Sequence, residues 1–180
     1  MRTGIYPGSF KPFHAGHYDV LLRAADENDT VTVFASTAPR TRKGEFPIYA
    51  ETIEQAWNEH FLKLMPPNVK VEFVTNPIRA TYEKLNAAPT EEFTVYLGHT
   101  DAGNFAELAK YAPGVRVKVT AVKRTRCSGT LVRKSLQDRD FETFSSMMPA
   151  GVDLSSLWKL FLAKTVFQEF VRSSIKTARR

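Results

Sequence analysis

GSFKPFHAGH, residues 8–17, is the stretch of sequence that decides the fold. It follows a short strand predicted at residues 3–6 and leads directly into a helix predicted at residues 15–25. Small residues in such a loop let the backbone approach an anion, and the N–H groups of a helix start lie at the positive end of the helix dipole. His14 and His17 lie on either side of this helix start. The stretch therefore predicts a phosphate-binding turn between the first strand and the first helix.

The sequence up to residue 122 alternates short β-branched runs with stretches of helical spacing. Strands separated by helices imply right-handed crossovers and a parallel sheet. We therefore expect an α/β fold: a doubly wound, Rossmann-like, five-stranded parallel sheet with helices on both faces. Ligands in such folds bind beyond the carboxyl ends of the strands, near the point where the strand order reverses. The predicted strands are residues 3–6, 30–35, 69–74, 93–97 and 116–122, and the predicted helices are residues 15–25, 48–64, 78–85 and 104–111.

The composition is that of an ordinary globular chain. Of its 180 residues, 43% are hydrophobic and 24% are charged, which suits one domain with its own core. The single cysteine, Cys127, excludes an internal disulfide and a cysteine-cluster metal site, so we expect a cytoplasmic protein. We expect neither a signal peptide nor a membrane span, because no apolar run approaches about 18 residues. The net charge of +6 suits either nucleic acid or a triphosphate as ligand and does not choose between them.

Residues 152–180 differ in pattern from those before them. Apolar side chains recur there at helical spacing, and the segment ends in a basic run at residues 176–180. The spacing predicts one long amphipathic helix, so we divide the chain into a domain at residues 1–151 and a C-terminal helical extension at residues 152–180. This helix is expected to pack on the same domain or to form the subunit interface of a homo-oligomer. Its wide apolar surface is formed by Trp158, Phe161, Phe167 and Phe170.

A second stretch, KRTRCSGTLVR at residues 123–133, follows the last predicted strand. Ser128 or its neighbour can cap a new helix, with Thr130 in the first turn and Arg133 one turn further on. Two hydroxyls, backbone N–H groups and a guanidinium would then surround a second anion site. Taken alone, this spacing is equally typical of a plain capping motif.

The two stretches together resemble the nucleotidyltransferase superfamily. Residues 8–17 are similar to its G-x-F-x-P-x-H-x-G-H signature, and residues 128–133 are similar to its second signature, S-[ST/G]-T-x-x-R. The superfamily includes phosphopantetheine, nicotinamide-mononucleotide and FMN adenylyltransferases and the small cytidylyltransferases. Residues 128–149 are closest in wording to the archaeal-type nicotinamide-mononucleotide adenylyltransferases. The resemblance spans about residues 3–151 and is specific only in the two motifs.

The resemblance implies transfer of a nucleoside monophosphate from an NTP to a phosphorylated small molecule, with release of pyrophosphate. The expected pair is ATP and nicotinamide mononucleotide, giving NAD. Mg²⁺ is expected on the triphosphate, held by substrate and water rather than by protein ligands. Two alternatives keep the chemistry: CTP with a sugar or polyol phosphate, and ATP with phosphopantetheine. A distant alternative is a non-catalytic protein that binds a nucleotide or nucleic acid. Lys11 stands where many family members have aspartate, which leaves the acceptor open.

Most of the expected site residues stand at matched positions of the two motifs, and the others lie in loops near them. His14, His17 and Arg133 are implied to be catalytic, stabilising charge on the phosphates and the leaving group. Lys43 is the residue expected to contact phosphate from the basic loop after the second predicted strand, and Arg40 and Arg42 in the same loop are the next candidates. Asp101 follows the fourth predicted strand and suits a ribose or base contact or, equally, a helix cap. The residues expected to bind the nucleotide or its phosphates are Gly8, Ser9, Phe10, Gly16, Lys43, Gly98, Asp101, Arg126, Ser128, Gly129 and Thr130.

Overall fold

The computed structural model describes residues 1–98, 103–122 and 127–163. Five strands in these residues form one sheet in which every pair is parallel. They are β1 (Arg2–Gly8), β2 (Thr30–Ser36), β3 (Val69–Val74), β4 (Glu92–Gly98) and β5 (Arg116–Val122). Their order across the sheet is β3-β2-β1-β4-β5. The predicted five-stranded, parallel α/β fold is confirmed.

The strand order reverses beside β1. The chain moves outward from β1 to β2 and β3, and then returns to the other side of β1 for β4 and β5. Right-handed crossovers put the connecting helices of these two halves on opposite faces of the sheet. Two separate groups of buried side chains accordingly line the two faces. The carboxyl ends of β1 and β4, at Gly8 and Gly98, meet where a ligand is expected in this topology.

The predicted helices are found in the predicted order, with two differences in length and one additional short helix at Phe141–Ser146. The predicted helix at residues 48–64 is α-helical only from Ala50 to Ala56 and then widens into a π turn and a 3₁₀ turn, because a periodic apolar pattern does not specify which hydrogen bonds close each turn. The predicted helix at residues 104–111 is α-helical only from Leu108 to Tyr111, and a 3₁₀ turn at residues 103–105 precedes it, in which buried Phe105 packs against Tyr82 with ring centroids 5.5 Å apart. The helices are α1 (Ala15–Glu27), α2 (Ala50–Ala56), α3 (Pro77–Ala87), α4 (Leu108–Tyr111), α5 (Gly129–Asp138), α6 (Phe141–Ser146) and α7 (154–163).

The described turns of the C-terminal helix, α7, pack on the same core as α1. Leu157 and Phe161 are buried in that core, and the Trp158 ring meets the Phe144 ring edge-on with centroids 5.1 Å apart. Residues 164–180, which include Phe167 and Phe170, lie outside the described residues, and the subunit interface stays a prediction. None of the helices within the described ranges is long and apolar enough to cross a membrane.

Candidate functional site

A cleft of about 370 Å³ opens at the carboxyl ends of the strands, beside the point where the strand order reverses. The loop after β1 forms one wall and the start of α5 forms another. The start of α3 and the end of β4 complete the lining. Its lining residues are Pro7, Gly8, Ser9, Phe10, Lys11, His17, Arg40, Pro77, Ile78, Leu97, Asn104, Ser128, Gly129, Thr130 and Arg133.

The two histidines of the first motif form a stacked pair. Their ring centroids are 3.7 Å apart and the ring planes are inclined by 24°. His17 lines the cleft, whereas His14 is fully buried behind it at the N-cap of α1. The N–H of Ala15 donates to the carbonyl oxygen of Met147 at 2.8 Å, which ties this helix start to the end of α6. In this conformation His17 presents its ring to a ligand and His14 supports that ring from behind.

Phe10 gives the loop after β1 its shape. Its φ of 49° lies in the left-handed region, which costs a residue other than glycine on the order of 1–3 kcal/mol. Aromatic packing offsets that cost, because the buried Phe10 ring meets the rings of Tyr6, Phe13, His17 and Trp57 edge-on, at 5.0–5.9 Å between centroids. The same ring explains Gly8, where a Cβ atom would lie 2.4 Å from two Phe10 ring atoms. Phe10 is therefore a structural part of the cleft wall.

Glycines at the two helix starts allow close approach. A Cβ atom on Gly16 would lie 3.2 Å from His14 Cε1 and 3.4 Å from Cys127 Cβ. A Cβ atom on Gly129 would lie 3.1 Å from Arg133 Nη1 and from the carbonyl oxygen of Lys11. The contact with Cys127 also shows that the residue just before the second motif lies against the first. These glycines let α1 and α5 converge on one cleft.

Arg133 joins the two motifs directly. Its guanidinium is buried, and its Nη1 donates to the carbonyl oxygen of Lys11 at 2.7 Å, across 122 positions of sequence. Nη2 donates to the Thr130 hydroxyl at 3.1 Å, and Nε donates to Glu45 Oε2 at 3.0 Å. A guanidinium has five N–H donors, so donors remain for a phosphate. Ser128 caps the same helix as expected, accepting from the Leu131 N–H at 3.1 Å.

Glu45 holds two guanidiniums at the cleft. It accepts from Arg40 Nε at 2.7 Å and Nη2 at 3.0 Å, in addition to Arg133. The hydrogen bonds from Arg40, followed by the positive charge of Arg133, lower the pKa of Glu45 to about 2. Glu45 is therefore ionised at neutral pH, and two guanidiniums with one carboxylate leave one net positive charge here.

Lys11 adds another cation. Its side chain extends to the end of β2, where Nζ donates to the Ser36 hydroxyl at 3.1 Å. Burial, and to a smaller extent the neighbouring charge of Arg40, lowers the pKa of the Lys11 ammonium. The cleft is thus a positively charged pocket suited to phosphate groups.

Most of the residues expected from the sequence converge on this cleft. Gly16 lies beside His14, and buried Gly98 ends β4. Lys43 is exposed and is absent from the lining, whereas Arg40 from the same loop is part of it. Asp101 and Arg126 lie outside the described residues. The expected residues that the cleft brings together are Gly8, Ser9, Phe10, His17, Ser128, Gly129, Thr130 and Arg133.

Three polar residues in or beside the cleft were not anticipated from the sequence: Glu45, Ser36 and Asn104. The only available signal was for Glu45, which is the single acidic residue in the basic loop at residues 40–45. Nothing in the local sequence distinguishes Ser36 or Asn104 from other polar residues at a strand end or in a turn.

Comparison with proteins of known sequence gives phosphopantetheine adenylyltransferases. The chain is 32% identical to that of Corynebacterium diphtheriae over 98 residues, which are 52% of this chain and 62% of the relative. It is 48% identical to that of Clostridium perfringens over 48 residues, 27% of this chain and 29% of the relative. The chain therefore spans less than two thirds of the length of these relatives.

Comparison with solved structures gives adenylyltransferases of the same fold. The bifunctional NMN adenylyltransferase/ADP ribose pyrophosphatase of Francisella tularensis, complexed with AMP and a Mn ion, superposes with a TM-score of 0.61 at 13% identity, over 98% of this chain and 55% of the other. The nicotinic acid mononucleotide adenylyltransferase of Plasmodium falciparum, complexed with NaAD, superposes with a TM-score of 0.57 at 16% identity, over 89% and 97%. At such identities the likeness shows the fold alone.

A family model provides the assignment. The model described as cytidylyltransferase-like matches residues 5–174, nearly the whole chain and both motifs. This match confirms the resemblance to the nucleotidyltransferase superfamily seen in residues 8–17 and 128–133. The chain belongs to the cytidylyltransferase-like family.

Proposed function

We propose that this protein is an adenylyltransferase that transfers AMP from ATP to the phosphate of a small acceptor and releases pyrophosphate. One observation carries the proposal: the hydrogen bond from Arg133 to the carbonyl oxygen of Lys11, which brings the two motifs to one cationic cleft. The sequence relatives named as phosphopantetheine adenylyltransferases support the choice of an adenylyl group.

The chemistry is a single in-line displacement. An oxygen of the acceptor phosphate attacks the α-phosphorus of ATP and forms a new P–O–P bond. The bond from the α-phosphorus to the bridging oxygen of the β-phosphate breaks, and its electron pair leaves with pyrophosphate. A phosphate dianion carries no proton on the attacking oxygen, so this step needs neither a protein nucleophile nor a strong base.

Catalysis then consists of positioning and charge stabilisation. The start of α5, with Thr130 and the remaining N–H donors of Arg133, would hold the β- and γ-phosphates. His17 would donate a hydrogen bond to the phosphate chain from the cleft wall, with His14 stacked behind it. Because this site is half-enclosed and prearranged, its donors stabilise developing charge better than water does.

We propose that Mg²⁺ enters with the triphosphate. The cleft lining contains no acidic side chain among the residues that the structure describes, and Glu45 beside it is bound to Arg40 and Arg133. No group of three or more His, Cys, Asp or Glu in that part of the chain is arranged to hold a metal ion. These residues suit a cation held by phosphate oxygens and water, which would neutralise part of the triphosphate charge.

Two phosphorylated compounds are the favoured acceptors. Nicotinamide mononucleotide is the acceptor implied by the wording of residues 128–149, and phosphopantetheine is favoured by the names of the sequence relatives. Transfer from CTP to a sugar or polyol phosphate, and binding of a nucleotide or nucleic acid without turnover, are the outcomes that would replace the proposal.

Location and assembly are part of the same proposal. A single cysteine suits the reducing cytoplasm, where these substrates would be met. We retain the domain at residues 1–151 with a C-terminal helix at residues 152–180, and a homo-oligomer in which the apolar surface of that helix contributes to the contact. Sedimentation of the full chain beside a chain truncated after residue 163 would test this assembly.

The test of activity is pyrophosphate release with Mg²⁺, crossing ATP and CTP against a panel of acceptors. The panel contains nicotinamide mononucleotide, nicotinate mononucleotide, phosphopantetheine, FMN and glycerol 3-phosphate. Turnover with ATP and one acceptor is the expected result, and a His17→Ala variant that remains folded should lose most of it. Turnover with CTP alone would move the protein to the cytidylyltransferases. If no acceptor of the panel supports pyrophosphate release and the protein binds polynucleotides with an affinity that falls steeply with salt, the protein is a nucleic-acid-binding protein rather than an enzyme.

A further inference from the structure

We propose that Lys11 binds the phosphate of the acceptor and makes the enzyme select phosphorylated acceptors. This inference rests on the proposed function and adds to it a residue that the two motifs do not assign. The Lys11 position is variable within the motif, so no role for the side chain follows from the resemblance.

The charges around the cleft single out Lys11. Arg40 and Arg133 share the carboxylate of Glu45, so their positive charge is partly compensated within the protein. Lys11 has no such partner: among the described residues, no carboxylate oxygen lies within 4.0 Å of its Nζ, and its hydrogen bond goes to the neutral Ser36 hydroxyl. A half-buried ammonium without a counter-ion is costly, and a bound anion removes that cost.

The contacts of the Lys11 ammonium differ from those of the groups proposed to bind the triphosphate. The backbone carbonyl of Lys11 accepts from Arg133 of the second motif, whereas its ammonium reaches the end of β2 and donates to Ser36. The Ser36 hydroxyl there is fixed in turn, because it donates to the Thr75 carbonyl at 3.4 Å and accepts from the Ala38 N–H at 3.3 Å. The ammonium is therefore held beside the ends of β2 and β3.

The reaction needs two separate phosphate sites in one cleft. The triphosphate is accounted for by His17, the start of α5 and Arg133, and the attacking phosphate must lie on the far side of the α-phosphorus. The Lys11 ammonium is the lining cation with no other anion assigned to it. Burial and the charge of Arg40 lower its pKa, and a phosphate dianion beside it would restore the charged form.

The experiment compares phosphorylated acceptors with their dephosphorylated counterparts. Binding of nicotinamide mononucleotide, nicotinamide riboside, phosphopantetheine and pantetheine is measured by calorimetry on the wild type, Lys11→Met and Lys11→Arg. Lys70→Met is the matched control, because Lys70 is an exposed lysine on β3 that is absent from the cleft lining. Loss of one charge-assisted contact is worth roughly tenfold or more in affinity.

We expect Lys11→Met to weaken binding of the phosphorylated acceptor by about tenfold or more, with the dephosphorylated compound and ATP unchanged within about twofold. Lys11→Arg should recover part of the loss, and Lys70→Met should match the wild type. A wild type that prefers the phosphorylated acceptor, with Lys11→Met keeping the same preference or losing affinity for ATP instead, overturns the role of Lys11. A wild type that binds none of the four compounds and releases pyrophosphate with no acceptor of the panel overturns the proposed function itself.

Discussion

Gly16→Ala should lower the turnover of the enzyme while leaving the stability of its fold nearly unchanged. The added Cβ would lie 3.2 Å from His14 Cε1, 3.3 Å from its Nδ1 and 3.4 Å from Cys127 Cβ, so the buried ring must shift by a few tenths of an ångström. Against this strain, replacing glycine by alanine within a helix gains up to about 1 kcal/mol. We therefore expect the free energy of unfolding to change by less than about 1 kcal/mol, or the Tm by less than about 4 °C.

The effect on turnover should be larger. His14 stacks on His17 at 3.7 Å, so a shift of one ring is transmitted to the other, which lines the cleft. Complete loss of a prearranged charge-stabilising group costs roughly a hundredfold in kcat, and this is the value we expect for His14→Ala. A misplacement of about 1 Å costs a similar factor, so a shift of a few tenths should lower kcat by about tenfold.

The assay is pyrophosphate release at saturating ATP and acceptor, with thermal unfolding measured on the same samples. Gly103→Ala is the control, because a Cβ atom there meets nothing within 4 Å. A Gly16→Ala enzyme with the kcat of the wild type would refute the reasoning that the histidine pair must keep its position. A His14→Ala enzyme with the kcat of the wild type would remove His14 from the mechanism.

Further expectations concern the charged and buried groups. Arg133→Ala should lower the free energy of unfolding by about 2 kcal/mol and the Tm by roughly 4–8 °C, because it leaves the Lys11 carbonyl without its donor and removes one of the two guanidiniums that Glu45 binds; an unchanged Tm would contradict this. Arg133→Lys, which keeps the charge, is the variant in which a rise in the KM for ATP reports on phosphate binding. Burial and, to a smaller extent, the positive charge of Lys63 lower the pKa of His60. The unfolded chain therefore binds a proton at a higher pH than the folded chain does, and the free energy of unfolding should fall as the pH drops below about 6.5. His60→Leu should lack this loss in urea titrations, and an equal loss in both proteins would assign it elsewhere. The lowered pKa of Lys11 means that its ammonium loses its proton at a lower pH than an exposed lysine does, so the KM for the acceptor should begin to rise at that lower pH. A KM for the acceptor that stays constant up to about pH 10 would argue against a contact between Lys11 and the acceptor phosphate.

The residue types and spacing of the two motifs were enough to predict most of the residues that line the cleft. A glycine-rich loop with two histidines at a helix start, and a Ser-x-Thr-x-x-Arg at another, signal anion binding through local geometry alone. The topology then required both to lie at the carboxyl ends of the strands. The loop at residues 40–45 was harder, because several adjacent basic residues look alike in sequence. Which of them points inward depends on the antiparallel pairing of Arg40 with Ile48 and on its ion pair with Glu45.

The widened turn at Trp57–Phe61 shows a different limit. Apolar residues three and four positions apart suit α and π turns alike, so the pattern predicts a helix but not its hydrogen bonds. Packing chooses between them, since Trp57 and Phe61 must both reach Phe13, at centroid distances of 4.7 and 5.1 Å.

The sequence by itself determined the α/β class, the order of strands and helices, the family and the positions of the two motifs. Local periodicity, the positions of glycines and the spacing of a few side chains are enough to predict all of these features. Only the tertiary structure decided that Glu45 compensates Arg40 and Arg133, and that Lys11 Nζ binds Ser36 with no carboxylate oxygen within 4.0 Å among the described residues. Glu45 and Arg133 are 88 positions apart, and Lys11 and Ser36 are 25 apart. No local pattern encodes such pairs, because they exist only after the sheet has brought distant loops to one edge.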